Sequence, residues 1–185
     1  MSESIMIRHS AYQIDWTQLN RAELEKLVSL ETDPGVDREK LEEQLDTEKL
    51  EDQNFSKIYT SPLKRARHTA QKISEILKLP VEEKRELKEL EFDEIPEKIF
   101  QKGDEAVRQY LLDRTRENSA EIEFIREKKE EDVLMVSHGF KMRLIYQQLF
   151  EKNFKELRDD TKFREYLTGF NLETGETETM NNERI

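Results

Sequence analysis

Histidine is scarce in this chain, three in 185 residues, and two of the three follow short apolar runs. His9 comes after Ile5-Met6-Ile7 with Arg8 directly before it, and His138 closes Val133-Leu134-Met135-Val136-Ser137 just ahead of Gly139. A neutral imidazole is a nucleophile toward phosphorus, and a neighbouring guanidinium lowers its pKa and keeps it neutral near pH 7. An ordinary charged strand end beside a satisfied core histidine has the same residues, so for Arg8-His9 alone both readings stand. A further cationic cluster is Ser61-Pro62-Leu63-Lys64-Arg65-Ala66-Arg67. Serine suits a helix N-cap and proline the first helical position, so a helix is expected to start at Ser61, its open N–H groups facing an anion. Arg65 would reach back over that end. Two arginines, two histidines and a helix N-terminus supply the donors that phosphoryl transfer needs around the moving oxygens, with no metal required. His68 and Thr69 read as ordinary helix residues.

These groups need elements to bring them together. The apolar runs at Ile5–Arg8 and Val133–Ser137 read as buried strands, and 55–60 as another from its aromatic and β-branched content. Leu24, Leu27 and Val28 lie at helical spacing. After the Asp33-Pro34-Gly35 break, Leu41 and Leu45 predict one charged helix over 36–50. Leu63, Ala66, Ala70, Ile73 and Leu77 step by three or four, giving a buried helical stripe that Pro80 ends. A short strand is expected within 81–90, helix over most of 104–129 and over 141–150, and a hairpin around Glu173-Thr174-Gly175. Alternating strands and helices imply an α/β fold, a largely parallel sheet with helices on both faces, and ligands at the carboxyl ends of its strands. Arg8-His9, Ser61–Arg65 and His138-Gly139 would then share one rim.

Composition narrows the partners. Charged residues make up 39% of the chain and the net charge is −11, against bulk attraction to nucleic acid or an anionic membrane. Any phosphate site must be a local basic pocket. The absence of cysteine excludes disulfides, thiol catalysis and cysteine metal sites, and three histidines without HxH or HExxH spacing give no zinc pattern. No apolar run has membrane-spanning length and no secretory signal is visible, so the expectation is a single cytoplasmic domain over 1–185 with no cofactor. Oligomeric state is not legible.

Taken together, these residues resemble the histidine phosphatase superfamily, also called phosphoglycerate mutase-like. The family pattern is an RHG strand end, an SPLxRAxxTA turn, an LxE segment and a V(S/A)HG strand end. Here stand Arg8-His9-Ser10, SPLKRARHTA from Ser61 to Ala70, Leu87-Lys88-Glu89 and Val136-Ser137-His138-Gly139, in that order and across most of the chain. The resemblance implies a three-layer α/β/α sandwich. It implies His9 as the nucleophile that forms a phosphohistidine, with Arg8, Arg65 and His138 on the phosphoryl oxygens and Glu89 as proton donor and then base. Spacing alone would not single out Glu89 from 42 acidic residues. Arg143 matches an arginine common after the second histidine and is read as structural.

Three family glycines are replaced, by Ser10, Asp93 and Phe140. Glycine at such turns permits positive φ or close approach of backbone to ligand. Ser10 offers a hydroxyl donor to the phosphoryl group while narrowing the pocket, and Asp93 would repel phosphate if it faced the site. The family's Trp-Asn has only Asp15-Trp16-Thr17 as its nearest match. The leading expectation is a metal-independent phosphomonoester hydrolase acting on a small phosphorylated substrate, with phosphoproteins still open. Alternatives are phosphoglycerate mutase-type transfer, for which the acidic segment between Glu89 and His138 leaves little lid, and a catalytically weak phosphate-binding regulatory module. Residues 16–30 and 92–116 are expected to set leaving-group specificity, and their acidity disfavours polyanionic substrates.

Overall fold

Strand periodicity predicts which side chains meet on each face of the sheet, and the computed structural model shows how. It describes residues 4–11, 14, 18–92, 95–103, 106, 107, 109, 110, 113, 120–152, 163, 165–180 and 182. In chain order the elements are β1 (Ile5–Arg8), α1 (Arg21–Val28), α2 (Arg38–Gln44), α3 (Thr47–Glu51), β2 (Lys57–Thr60), α4 (Lys64–Leu77) and β3 (Val81–Glu83). A 3-10 turn (Arg85–Leu87) follows, then α5 (Glu97–Phe100), α6 (Ala120–Lys128), β4 (Val133–Ser137), α7 (Gly139–Phe150), β5 (Thr168–Asn171) and β6 (Thr177–Thr179). The six strands form one sheet in the order β3-β2-β4-β1-β5-β6. β1 to β4 run parallel, while β5 is antiparallel to β1 and β6 to β5.

Both faces of the sheet are covered, which is why β1 and β4 are apolar at consecutive positions rather than at alternate ones. Ile5, Ile7, Ile58, Leu134 and Val136 pack on one side with Leu41, Leu50, Ala66, Ala70 and Ile73 from α2, α3 and α4. Met6, Tyr59, Val133 and Met135 pack on the other with Ile122, Ile125, Met142 and Ile145 from α6 and α7. The result is a three-layer α/β/α arrangement, as expected. Gly169 in β5 answers to its neighbour, since a Cβ there would lie 1.7 Å from the Met6 carbonyl oxygen of β1. No helix among the described residues is long and apolar enough to cross a membrane.

Several boundaries differ from the sequence expectation. The helix expected over 36–50 is two helices, because Leu45 is extended (φ −72, ψ 124) and the chain pairs there with its tail. The Asp46 N–H donates to the Met180 carbonyl and the Asn182 N–H to the Gln44 carbonyl. Asp37 and Asp46 each cap the helix that follows, through the N–H groups of Lys40 and Lys49. Ser61 is not the N-cap of α4 and Pro62 is not its first residue. The cap position is Leu63, with extended backbone (φ −73, ψ 141) and no side-chain cap of its own. The helix expected from 141 begins two residues earlier, at Gly139, with His138 in the cap position. The strand within 81–90 is limited to Val81–Glu83, and the tail hairpin is present as β5 and β6. Asp93, Asp15-Trp16-Thr17 and much of 104–119 lie outside the described residues.

A third apolar cluster stands apart from the sheet. Leu24 and Val28 of α1 meet Phe92, Ile95 and Val107, and Phe140 at the start of α7 packs against them. Described parts of the two segments expected to govern specificity thus pack together, tied by the Phe92 N–H to the Val28 carbonyl (3.1 Å) and by Arg21 to the Ile95 carbonyl (2.9 Å).

Candidate active site

Parallel pairing carries three chain segments to one point. The His9 N–H donates to the Ser137 carbonyl and the Ser61 N–H to the Val136 carbonyl, both at 3.0 Å. These bonds extend the β1–β4 and β2–β4 ladders one residue beyond their strands, so His9 and Ser61 flank the end of β4 where His138 emerges. The His9 and His138 ring centroids are 5.0 Å apart, and their residues are 2% and 0% exposed.

The hydrogen bonds settle which nitrogen of His9 is basic. Its Nδ1 lies 2.6 Å from the Ser10 carbonyl oxygen, which can only accept, so Nδ1 carries the proton of the neutral ring and the lone pair is on Nε2. Burial pushes the pKa of His9 well below its ordinary value of 6.5, with Arg65 and Arg8 adding to the fall and the Ser10 carbonyl opposing it. His138 is lowered in the same way, first by burial and then by Arg65, His9, Arg8 and Lys141. At neutral pH both rings are uncharged.

The cations around them are held in place. The Arg65 residue is 5% exposed, and its Nη1 donates to Asp33 Oδ1 at 3.2 Å. The Arg8 guanidinium lies over the Tyr166 ring, 4.4 Å from its centroid, and that ring is 5.9 Å from the His9 ring. Stacking uses the face of a guanidinium, whereas its hydrogen bonds leave from the edge. Ser10 is turned toward the scaffold: its N–H donates to Thr69 Oγ1 (3.0 Å) and its hydroxyl to Gln44 Oε1 (3.4 Å). Thr69 in turn donates to the Arg65 carbonyl at 2.9 Å. The hydroxyl expected to contact phosphate therefore lies on Gln44, and it is the Ser10 carbonyl that reaches His9. Neither Ser10 nor Phe140 has positive φ. Phe140 instead meets Phe92 edge to face at 5.6 Å. Arg143 donates to the Gly139 carbonyl (3.2 Å) and lies over the Phe140 and Phe163 rings, the structural role read for it.

The expected open N-terminus of α4 is filled. Leu63 N–H donates to Ser61 Oγ (3.2 Å) and Lys64 N–H to Asp33 Oδ2 (2.6 Å). Glu89 does the equivalent for α7, where its Oε1 accepts from the Lys141 N–H at 3.0 Å and also from the Leu90 N–H at 3.0 Å. The Ser137 hydroxyl, donating to the Leu87 carbonyl at 2.9 Å, ties that segment to the end of β4. Each rim helix is thus capped by a carboxylate distant in sequence. Both oxygens of Asp33 are engaged, whereas both bonds to Glu89 among the described residues fall on Oε1. This geometry, which spacing could not supply, singles out Glu89. Sequence reasoning missed Asp33, Ser61 as a partner of His138, Thr69 and Tyr166. Asp33 had one signal, its place in the Asp-Pro-Gly turn; the others had none outside the tertiary contacts. Among the described residues no group of three or more His, Cys, Asp or Glu is placed to hold a metal ion.

Fold and rim define an α/β protein with two neutral imidazoles and two guanidiniums at the carboxyl end of a mainly parallel sheet. Residues 7–123 match the model of the histidine phosphatase superfamily (branch 1), and the chain belongs to that superfamily. His138 lies beyond the matched stretch, and β4 brings it to His9. No curated protein matches the chain by sequence. Among solved structures, the mycobacterial glucosyl-3-phosphoglycerate phosphatase is similar with a TM-score of 0.59 at 15% identity, over 83% of this chain and 82% of that one. A phosphoserine phosphatase mutant from Entamoeba histolytica, in complex with phosphoserine, is similar with a TM-score of 0.56 at 20% identity, over 99% and 98%. At these identities the likeness is one of fold.

Proposed function

We propose that this histidine phosphatase-family chain is a metal-independent phosphomonoester hydrolase working through a phosphohistidine on His9. The observation that carries the reading is the His9 Nδ1 bond to the Ser10 carbonyl, which leaves the Nε2 lone pair on a buried, neutral ring beside Arg8 and Arg65. Nε2 attacks phosphorus as the bond to the ester oxygen breaks, and Glu89 gives a proton through Oε2 to the leaving alkoxide. Glu89, now a carboxylate, takes a proton from water, which attacks the phosphohistidine, releases phosphate and restores neutral His9. Arg8, Arg65 and His138 hold the phosphoryl oxygens, where charge is greatest in the transition state.

The substrate class is a small phosphomonoester. The similar structures bear the names of phosphatases for glucosyl-3-phosphoglycerate and phosphoserine, and these two esters head the panel to be tried. The case for a weak regulatory module loses support at Ser10 and Phe140, where the backbone makes no demand for glycine. The test is hydrolysis of an aryl phosphate, then of a metabolite panel, with chelator and vanadate controls. Expected are chelator-resistant turnover, inhibition by vanadate and an acid-labile phosphoenzyme. Substituting His9→Ala should abolish all turnover, and activity that survives it overturns the mechanism.

A further inference from the structure

His138 is expected to bind a phosphoryl oxygen, and a neutral imidazole has one N–H to offer. Which nitrogen bears it decides whether the ring can donate at all. Its Nε2 is 2.7 Å from Ser61 Oγ, and both residues are 0% exposed. The Ser61 hydroxyl already accepts the Leu63 N–H at 3.2 Å. Its own hydrogen must go to an acceptor, and among the described residues the only one in reach is His138 Nε2. If Nε2 bore the proton instead, the serine oxygen would accept twice and its buried hydrogen would have no partner among the described residues. The other ring nitrogen, Nδ1, is buried and without a hydrogen-bond partner among the described residues.

We propose that Ser61 is a positioning residue that sets the tautomer of His138, donating to Nε2 so that Nδ1–H is the donor offered to the phosphoryl group. The chain of donation runs from Leu63 N–H to Ser61 Oγ, from Ser61 O–H to His138 Nε2, and from His138 Nδ1–H to the ligand. The inference rests on the phosphatase reading for its ligand alone.

The experiment is two-bond 1H–15N correlation NMR of the histidine side chains in the wild-type protein, with the His138 signals assigned by their loss in His138→Gln. The expected spectrum has Nδ1 protonated and Nε2 bare; a His138 protonated on Nε2 overturns the inference with no further variant. In Ser61→Ala the bias should be lost and vanadate affinity should fall roughly tenfold, the worth of one hydrogen bond to an anion. An unchanged tautomer together with unchanged vanadate binding would also overturn it. Absence of hydrolysis for every phosphomonoester would remove the proposed function and leave these two readouts to decide the tautomer. Hydrolysis through His9 with an Nε2-protonated His138 would remove this inference alone.

Discussion

The entries to α4 and α7 are the same structural problem solved with different chemistry. Each is a strand-to-helix turn on one rim, and each helix needs its first N–H groups satisfied. In both, the cap is a carboxylate supplied from elsewhere in the chain, Asp33 for α4 and Glu89 for α7. Asp33 also holds Arg65, so its two oxygens are consumed by structure. Glu89 caps with one oxygen and keeps the other. The two carboxylates are therefore told apart by their hydrogen-bond partners and not by their charge, and the oxygen that Glu89 keeps is the one the proposed proton transfer would use.

The contrast is sharpest in matched substitutions. Glu89→Gln keeps an oxygen for the Lys141 N–H but carries no exchangeable acid, so kcat should fall by roughly 10²–10⁴-fold with thermal stability near wild type. The loss should be larger for an alkyl phosphate than for an aryl phosphate, whose leaving group needs no proton. Equal losses on both esters would break the distinction between the two carboxylates. Asp33→Ala should act in the other sense. Loss of the cap costs about 1 kcal/mol of stability, read from denaturant unfolding. A loosened Arg65 should raise KM by roughly tenfold, with kcat much less affected. A kcat loss as large as that of Glu89→Gln would place Asp33 in the proton transfer.

A separate effect, on the pH dependence of stability, comes from the neutral histidine pair. His9 and His138 are held well below 6.5 in the folded protein, while in the unfolded chain both regain their ordinary value. Below about pH 6.5 the unfolded state binds protons that the folded state refuses, so these two groups cost stability as pH falls and contribute none of that loss above 6.5. The slope approaches about 1.4 kcal/mol per pH unit for each histidine. Denaturant midpoints of wild type and His9→Asn between pH 4.5 and 8 measure it. The variant should show a shallower acid slope, and parallel curves would mean that His9 is not held neutral.

Much of this was legible in the residues. Consecutive apolar positions in β1 and β4 announced strands buried on both faces, and the motif around Arg65 placed a helix on the same rim. His9, His138 and Glu89 were each named by pattern. The start of α4 was misplaced for a physical reason: Ser-Pro is a strong local helix-start signal, and the carboxylate that receives the Lys64 N–H at the actual start is Asp33, 31 residues away in sequence. The break at Leu45 was hidden likewise, since its cause is pairing with Met180 and Asn182. Ser10 was read as a hydroxyl for phosphate, and Gln44 receives it.

By itself the sequence determined the element types, the parallel α/β class and the residues able to do phosphoryl chemistry, because periodicity and side-chain pKa logic are local properties. The tertiary structure alone decided the tautomer of His9, the filling of both helix ends and which of two capping carboxylates keeps an oxygen without a partner among the described residues. Those are outcomes of competition among donors and acceptors far apart in the chain, and a hydrogen-bond partner is known only once the backbone has delivered it.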